Sequence, residues 1–378
     1  MRSLLNRLAA QESEIVACLR RLVELESPSH DKPALDTLGR HLAAEFGRIG
    51  GQVRFHQQEQ AGDHLHVEFP GAGTPILILG HMDTVWDLGT LAAMPFRVDN
   101  GRAYGPGSFD MKAGIVQAIY AIRALREQEN HRPRALTILL VTDEEIGSHS
   151  SRPITEGLAK KSAAALVLEP AQGAKGALKT SRKGVGTYHL KVEGQEAHSG
   201  LDPGRGASAV LELARQLLVI EKLADRKRGI TINPGVVRGG TRSNVIAREA
   251  IAEVDARVSK LKDIPYLDKK FCSLKPFNKR CKLEVSGGIG RPPMERSKQG
   301  MALFTLAQRL AKELGWELEE ASVGGGSDGN FTAALGVPTL DGLGAVGEGA
   351  HARHESVIIA EMPRRAALLA GLIAAIAS

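Results

Sequence analysis

Two hydrophobic patterns alternate along the first half of the chain. Apolar residues recur every three to four positions, the spacing of an amphipathic helix, in 35–49 and 114–128. Short continuous apolar runs occupy 75–79, 135–141 and 163–168. Such runs are typical of strands that are buried on both faces of a sheet. The alternation predicts an α/β domain whose mixed sheet is covered by helices on both faces.

A different pattern follows, in the order strand, helix, strand, strand, helix, strand. Its first strand is expected at 184–192 and its first helix at 207–223, and two further strands at 230–237 and 246–258. This order predicts a small α+β, ferredoxin-like domain inserted into the larger one. The Gly- and Pro-rich segment 287–293 is interpreted as the linker that returns to the first domain.

The expected organisation is therefore two domains, as the 378-residue length also suggests. The boundaries are placed at 1–178 for the first part of the larger domain, 179–287 for the insertion and 288–378 for the second part. A helix at 299–314 and strand-like segments around Val323 and at 337–340 belong to that second part.

Composition and cysteine usage indicate the compartment. The chain is 43% hydrophobic and 24% charged, and no apolar run approaches the length that spans a bilayer. Residues 1–21 have apolar positions at helical spacing rather than the unbroken apolar core of a signal peptide. The three cysteines are widely spaced and contain no Cys-x-x-Cys motif. These features predict a cytoplasmic protein that has no membrane partner.

The net charge of +6 has its largest local excess between Lys260 and Lys282. Nucleic-acid binding is one interpretation of such a basic run. A solvated helix face is the favoured one, because no aromatic residues that could stack on bases are interleaved with the charges. A third interpretation is a mild electrostatic preference for anionic substrates. No nucleic-acid partner is expected.

Acids and histidines follow the apolar runs or lie in Gly-rich loops. Strand ends are where an open α/β sheet gathers a site, and imidazoles with carboxylates are the ligand chemistry of zinc. More than four candidate ligands suggest two metals that share one carboxylate, with a spare glutamate as base. The candidates are His81 with Asp83, Asp110, Glu144 with Glu145, Glu169 and His351.

Each motif alone has an ordinary structural explanation. His81 and Asp83 could form a polar turn after a strand, Asp110 could cap a helix, and Glu144-Glu145 could lie in a solvated loop. His64 and His66 form a His-x-His pair, which we interpret as outward positions of an edge strand rather than as ligands.

Taken together, the motifs resemble a di-zinc peptidase family. This family includes glutamate carboxypeptidase, acetylornithine deacetylase, succinyl-diaminopimelate desuccinylase and aminoacylase. The Gly-Pro-Gly before Asp110 resembles the glutamate carboxypeptidase branch in particular. The matching segments are His81-Met-Asp83-Thr-Val, Gly105-Pro-Gly-Ser-Phe-Asp110-Met-Lys-Ala-Gly, Thr142-Asp-Glu144-Glu145-Ile-Gly-Ser, Glu169-Pro, Gly194-Gln-Glu-Ala-His198-Ser-Gly, Arg242-Ser-Asn244, Asp255-Ala-Arg257, Gly324-Gly-Gly-Ser-Asp328 and Gly349-Ala-His351.

The resemblance implies a role for each matching residue. One zinc would be held by His81 and Glu169 and another by Glu145 and His351, with Asp110 as the bridge. Cobalt or manganese are possible substitutes for the two zinc ions. Glu144 would be the general base, and Asp83 would orient His81.

The resemblance also assigns functions to the inserted domain, as a dimerisation and lid domain of a homodimer. His198, Asn244 and Arg257 match positions that bind substrate, and His198 and Asn244 are typically offered to the partner's active site. His198 would stabilise the developing oxyanion. Gly326 and Ser327 are further candidates for substrate binding. Phe109, Ser108 and Gly329 depart from the residues usual in the family, which affects the expected specificity rather than the zinc ligands.

Three functions stay open at this point. A Glu at position 169 goes with carboxypeptidases and deacylases in the resembled family, so the substrate is expected to be a peptide or small molecule with a free carboxylate. The first function is release of a C-terminal amino acid by metal-activated water. The second is deacylation of an N-acyl amino acid. A non-catalytic binding protein is the third; its expected mark is a missing ligand or base, and every such residue is present.

Overall fold

The computed structural model describes residues 1–127 and 134–376, which form two compact units. The first unit comprises Met1–Ser181, Arg296–Val323 and Ser327–Ser378. The inserted unit comprises Arg182–Glu295 together with Gly324–Gly326. The chain therefore leaves the first unit three residues after the expected start of the insertion at 179. Gln128, the expected end of a helix, lies outside the described residues.

The helices of both units have the following bounds. They are α1 (Arg2–Ala10), α2 (Glu12–Glu24), α3 (Lys32–Arg48), α4 (Thr90–Ala93), α5 (Ala113–Arg126), α6 (Arg152–Ala159), α7 (Ala209–Glu221), α8 (Ile264–Cys272), α9 (Lys298–Leu314), α10 (Gly329–Ala334) and α11 (Glu361–Ala375).

The strands are mostly short. They are β1 (Gln52–His56), β2 (His64–Phe69), β3 (Ala72–His81), β4 (Arg97–Asp99), β5 (Arg102–Tyr104), β6 (Arg134–Val141), β7 (Ala164–Val167), β8 (Leu178–Arg182), β9 (Gly184–Glu193), β10 (Thr231–Gly239), β11 (Glu249–Val258), β12 (Lys282–Arg291), β13 (Glu320–Val323), β14 (Thr339–Leu340), β15 (Gly347–Glu348) and β16 (Ser356–Ile358).

The first unit is built on a six-stranded sheet of order β1-β2-β6-β3-β7-β14, which we call the central sheet. β3 pairs in parallel with both β6 and β7, and β14 pairs in parallel with β7. β2 is antiparallel to both of its neighbours, β1 and β6. The mixed sheet predicted from the apolar runs is therefore confirmed.

Side chains of β3 show why the sheet is covered on both faces. Ile76 and Ile78 pack into one buried cluster and Leu77 and Leu79 into another. Because successive side chains of a strand point to opposite faces, a fully apolar run needs a core on each side. The larger cluster contains residues of α5 and α11, and the smaller one contains residues of β6, β7 and α6.

The inserted unit contains one antiparallel sheet of order β10-β11-β9-β12. With α7 after β9 and α8 after β11, the chain order and the strand order are those of a ferredoxin-like fold. Alternate residues of β11 are buried, among them Ala250, Ala252 and Val254, and they share a cluster with Leu213 of α7 and Leu267 of α8. The predicted α+β insertion is confirmed.

Two local predictions were wrong. The segment 287–293 is not wholly a linker, because β12 continues to Arg291 and pairs with β9 across a register shift after Gly288. His64 and His66 do not face outward from an edge strand. Their strand β2 lies between β1 and β6, and the two residues are 0% and 2% exposed.

A helix that crosses a membrane must be both long and apolar. Within residues 1–127 and 134–376, no helix combines the length and the apolar character that a crossing needs.

Candidate metal centre

Strand ends of the central sheet bring the candidate ligands together. His81 is the last residue of β3, Glu144 and Glu145 follow β6, and Glu169 follows β7. Since these three strands are parallel neighbours in the order β6-β3-β7, their carboxyl ends lie at one edge of the sheet. Residues that are far apart in sequence meet there because of this topology.

One group of side chains consists of His81, Asp110 and Glu169. The Nε2 atom of His81 lies 3.1 Å from Asp110 Oδ1 and 3.7 Å from Glu169 Oε1. Each of the three residues offers one ligand atom, and these atoms all lie within 4.8 Å of one another. His81 is 2% exposed and Glu169 is 8% exposed, so the group is shielded from bulk water.

A second group consists of Asp110, Glu145 and His351. The Nε2 atom of His351 lies 3.2 Å from Glu145 Oε1 and 3.5 Å from Asp110 Oδ2. The ligand atoms of this group also lie within 4.8 Å of one another. Asp110 therefore turns one carboxylate oxygen to each group, which is the arrangement of a carboxylate that bridges two cations.

The donor set fits a pair of divalent metals. Each group supplies one imidazole nitrogen and two carboxylate oxygens, which are ligands that zinc accepts. Three protein ligands per ion would leave a coordination position for water or substrate, as in catalytic rather than structural zinc sites. Among the described residues, these two groups are the ones that gather three such ligands.

The pKa shifts of His81 and Asp110 also agree with a cation site. Burial alone would lower the pKa of His81, but hydrogen bonding to Asp110 and Asp83 and the charges of both raise it well above its usual value. Burial would raise the pKa of Asp110, yet hydrogen bonding to His351 and His81 holds it well below its usual range. Hydrogen bonding thus favours the ionised form of the Asp110 carboxylate, which is the form that binds a cation.

In the second group, the pKa of the histidine is also raised. Hydrogen bonding to Asp110 and to Glu145 raises the pKa of His351 to about 10, against a smaller opposing effect of burial. Burial raises the pKa of the Glu145 carboxyl. In the metal-free protein a proton on His351 therefore compensates the carboxylates, and a bound cation would take over that compensation.

Asp83 contacts both the histidine and the acidic loop. The Nδ1 atom of His81 lies 2.9 Å from the main-chain oxygen of Asp83, closer than the 3.5 Å to the Asp83 carboxylate. That carboxylate accepts the main-chain N–H groups of Glu144 at 3.3 Å and of Glu145 at 3.1 Å. Asp83 thus orients the ring with its backbone and fixes the acidic loop with its side chain.

Sequence reasoning missed one partner of Asp83. The hydroxyl of Ser29 donates to Asp83 Oδ2 at 2.8 Å, and both residues are buried. Ser29 lies between a proline and a histidine just after α2, where a serine is ordinary. No local signal in the sequence distinguishes it, because its contact is made 54 positions away.

Asp110 lies in an irregular turn, Ser108–Lys112, just before α5. Its φ and ψ of −115° and 92° are not helical, and the Asp110–Met111 peptide bond is cis. Lys112 rather than Asp110 occupies the N-cap position of α5, so the helix-cap explanation of Asp110 is wrong. His351 adopts a φ of 62°, a left-handed conformation that is uncommon for residues other than glycine.

Three candidate residues belong to the inserted unit. His198 and Asn244 are exposed and lie on facing segments, where the Ser199 N–H donates to the main-chain oxygen of Asn244 at 3.0 Å. The Nδ1 atom of His198 accepts the N–H groups of Gly200 and Leu201, each at 3.1 Å. The ring is therefore oriented by backbone donors, and its Nε2 atom would carry the proton in the neutral form.

Arg257 is held by its own surroundings. Its guanidinium donates to both carboxylate oxygens of Asp255, at 3.0 and 3.2 Å, and to the main-chain oxygen of Gly324 at 2.9 Å. These bonds use three of the five N–H groups of an arginine. Arg257 thus stabilises the loop Gly324–Gly326 by a hydrogen bond, and it is also a candidate for substrate binding.

The remaining candidates, Gly326 and Ser327, lie on either side of the division between the units. Ser327 is fully buried, and its hydroxyl donates to Asp341 at 2.5 Å and accepts the Gly329 N–H at 3.1 Å. These contacts indicate a structural role for its side chain. The main-chain oxygen of Gly326 accepts from Arg182 at 2.8 Å.

Comparison with known proteins identifies the family. Residues 77–375 match peptidase family M20/M25/M40. The chain belongs to this family. The metallopeptidase class expected from the motifs is thereby confirmed. The chain is also similar to carboxypeptidase G2 of Pseudomonas sp. (strain RS-16), with 29% identity over 370 residues that cover 96% of this chain and 89% of the relative.

Solved structures confirm the fold. The aminopeptidase PepT of Bacillus cereus ATCC 10987 superposes with a TM-score of 0.80 at 21% identity, covering 97% of this chain and 99% of its own. The YXEP protein of Bacillus subtilis, described as a dinuclear metal-binding peptidase of family M20, superposes with a TM-score of 0.70 at 13% identity, covering 97% and 98%. At these identities the likeness concerns architecture only.

Proposed function

We propose that this peptidase is a di-zinc carboxypeptidase, which releases a C-terminal amino acid from a peptide or acylated substrate. The observation that carries the proposal is the Asp110 carboxylate, whose two oxygens face two separate groups of imidazole and carboxylate ligands. Support for the carboxypeptidase reaction comes from the similarity to carboxypeptidase G2 along nearly the whole chain. Glu169, rather than an aspartate, at the end of β7 agrees with it.

His81 and Glu169 would hold one ion, Glu145 and His351 the other, and Asp110 would bridge them. Two zinc ions held there would supply Lewis acidity, making a water molecule more acidic and polarising the scissile carbonyl group. Glu144 is the proposed general base. It is partly exposed, and its main chain is tied to Asp83, so its carboxylate lies on a fixed loop beside the ligands.

Proton transfer by Glu144 completes the reaction. Its carboxylate would accept a proton from the attacking water as the water oxygen bonds to the amide carbon. The resulting carboxylic acid would then protonate the amine nitrogen as the carbon–nitrogen bond breaks. Glu145, its neighbour, is assigned to metal binding because its Oε1 faces His351 Nε2.

The inserted unit would contribute substrate contacts. His198 has its Nδ1 occupied by two backbone donors, which leaves Nε2–H as the donor to a developing oxyanion. Arg257 would bind the free carboxylate of the substrate with the N–H groups that Asp255 and Gly324 do not use. Asn244 would complete these contacts, and the unit would also form the dimer.

A substrate panel tests the proposal. The zinc-loaded protein is incubated with peptides and N-acyl amino acids that differ in the C-terminal residue, and released amino acids are quantified by mass spectrometry. Preference for substrates with a free C-terminal carboxylate, lost when that carboxylate is amidated, is the expected result. Efficient cleavage of simple N-acetyl amino acids with poor cleavage of peptides would instead indicate a deacylase. Release from the N-terminal end of peptides would contradict the proposal.

A further inference from the structure

Glu355 presents a buried carboxylate to four N–H donors. The residue is 1% exposed. Its Oε1 atom accepts the main-chain N–H groups of Phe109 at 2.9 Å and Asp110 at 3.0 Å. Its Oε2 atom accepts the Gly107 N–H at 2.9 Å and the Trp86 indole N–H at 2.9 Å. Two donors on each oxygen satisfy the acceptor capacity of an ionised carboxylate.

The segment that these bonds hold is the one that carries Asp110. Its backbone does not follow a regular helix, since Gly107 has a φ of 69° and Asp110 has non-helical dihedrals. Main-chain N–H groups in such a turn need acceptors from elsewhere. Glu355 supplies an acceptor to three of them, including the N–H of Asp110 itself. The direction of the Asp110 side chain therefore depends on Glu355.

Glu355 also belongs to the segment that carries His351. Two tight turns join them, with the Ala352 N–H donating to Gly349 O at 2.8 Å and the Glu355 N–H donating to Ala352 O at 2.9 Å. Strand β16 begins directly after Glu355 and pairs with β5. Strand β5 in turn ends three residues before Gly107. The single residue Glu355 thus links the segment of Asp110 to the segment of His351.

We infer that Glu355 is a positioning residue of the metal centre, which holds Asp110 where its two oxygens can reach both ions. The inference rests on the proposed function, since it concerns the same site. Asp110 must serve both groups at once, at 3.1 Å from His81 and 3.5 Å from His351. Trp86 supports the Glu355 carboxylate through its indole N–H.

Glu355→Gln is the informative variant. The amide keeps the size of the side chain but replaces one acceptor oxygen by an NH₂ group, which then faces two N–H donors. Metal binding should weaken about 10- to 100-fold, the usual loss when a residue that supports a metal ligand is changed. We expect a lower kcat with a nearly constant KM and an altered absorption spectrum of the cobalt-substituted enzyme. Glu355→Asp keeps both oxygens and should restore part of the metal affinity.

Controls separate positioning from general stability. Glu348→Gln changes an exposed carboxylate in β15, which pairs with Arg102 of β5 at 3.1 Å, and should leave metal affinity and the cobalt spectrum unchanged. Phe46→Leu, in the buried core at α3, should lower the free energy of unfolding. It should also leave the cobalt spectrum unchanged.

The outcomes are distinct. Suppose that the wild type binds its metals. Unchanged metal affinity and an unchanged cobalt spectrum in folded Glu355→Gln would then overturn the inference but not the proposed function. If Glu355→Gln does not fold, Trp86→Phe decides, because it removes one of the four donors and keeps an aromatic ring. A shifted cobalt spectrum in Trp86→Phe supports the inference, and an unchanged one overturns it. A wild-type protein that binds no divalent metal would refute the proposed function itself.

Discussion

Two buried histidines of the first unit, His81 and His66, are equally exposed, but their pKa values are shifted in opposite directions. His81 and His66 are each 2% exposed. Burial lowers the pKa of both, yet Asp110 and Asp83 raise the pKa of His81 well above its usual value. The pKa of His66 is lowered to about 4, by burial first and then by the charge of Arg54. The balance of neighbouring charges, rather than burial or spacing, distinguishes the candidate ligand His81 from His66.

His64 shows the structural type most clearly. Its Nδ1 atom accepts the main-chain N–H of Thr142 at 3.2 Å, and its Nε2 atom lies 3.0 Å from the hydroxyl of Ser150. That hydroxyl donates to Asp143 at 2.8 Å. The network is consistent with a neutral ring protonated at Nε2, which leaves no lone pair for a metal. This His-x-His pair therefore contributes to the fold, although it lies next to an acidic loop.

The largest expected effect is the loss of both metals in Asp110→Ala. The wild type should carry about two zinc ions per chain, and the variant should lose most of both because one carboxylate faces both groups. Activity should fall by more than the roughly 10²- to 10⁴-fold that one proton-transfer group contributes. Elemental analysis after dialysis measures the metal, with Asp99→Ala in exposed β4 as control. Full metal content in Asp110→Ala would contradict the bridging role.

The next effect separates the two adjacent glutamates. Glu144→Gln retains shape but cannot accept a proton, so turnover should fall roughly 10²- to 10⁴-fold while zinc content stays at the wild-type level. Glu145→Gln should lose metal instead, because its carboxylate faces His351. Zinc content and kcat are measured on the same preparations. A Glu144→Gln enzyme with near wild-type turnover would show that another group acts as base.

A third kind of histidine, exposed and oriented by backbone, is tested by His198→Ala. Turnover should fall roughly 10²- to 10³-fold if its Nε2–H stabilises an oxyanion, with zinc content unchanged. The control is His189→Ala, another exposed histidine of the inserted unit. Mixing His198→Ala with Glu144→Gln chains should restore activity if His198 serves the partner subunit. Demonstrated subunit exchange without recovery would argue that His198 acts within its own chain or not in catalysis.

The sequence predicted the sheet and its ligands where the signal is local. The apolar runs that became β3, β6 and β7 are visible in the sequence, and parallel pairing of buried strands implies that His81, Glu145 and Glu169 converge. His351 follows no apolar run: its place in a Gly-rich loop made it a candidate, and its role as a ligand rested on the family resemblance. It lies in a Gly-rich loop after β15, and its conformation depends on contacts that form only when the chain folds.

Contacts between distant segments explain what could not be predicted. β1 is a five-residue strand whose first three residues are exposed, so nothing in the sequence indicates that it pairs with β2 and makes β2 an inner strand, where His64 and His66 are buried. Ser29 and Glu355 act through partners 54 and 245 positions away. A buried carboxylate such as that of Glu355, which accepts three main-chain N–H groups and one indole N–H, looks in sequence like any surface glutamate.

The smallest predicted effect concerns His66, whose contribution to the free energy of unfolding should depend on pH. In the unfolded chain a histidine has a pKa near about 6.5, and in the folded protein that of His66 is about 4. Between these values the unfolded state binds more protons, so this histidine makes the free energy of unfolding fall as the pH falls. The loss should approach about 1.4 kcal/mol per pH unit in that window.

His66→Leu should remove this part of the pH dependence. The slope of unfolding free energy against pH, from denaturation with urea between about pH 7 and pH 4.5, should be flatter than in the wild type. Of the charged neighbours, Arg54 and His56 lower the pKa of His66 and Glu68 raises it, and all three stay in place. Val67→Ala on the same strand is the control, since it should destabilise equally at both ends of the range. An unchanged slope in His66→Leu would mean that His66 is protonated in the folded protein. The contrast with His81 would then no longer hold, because both buried histidines would carry a proton.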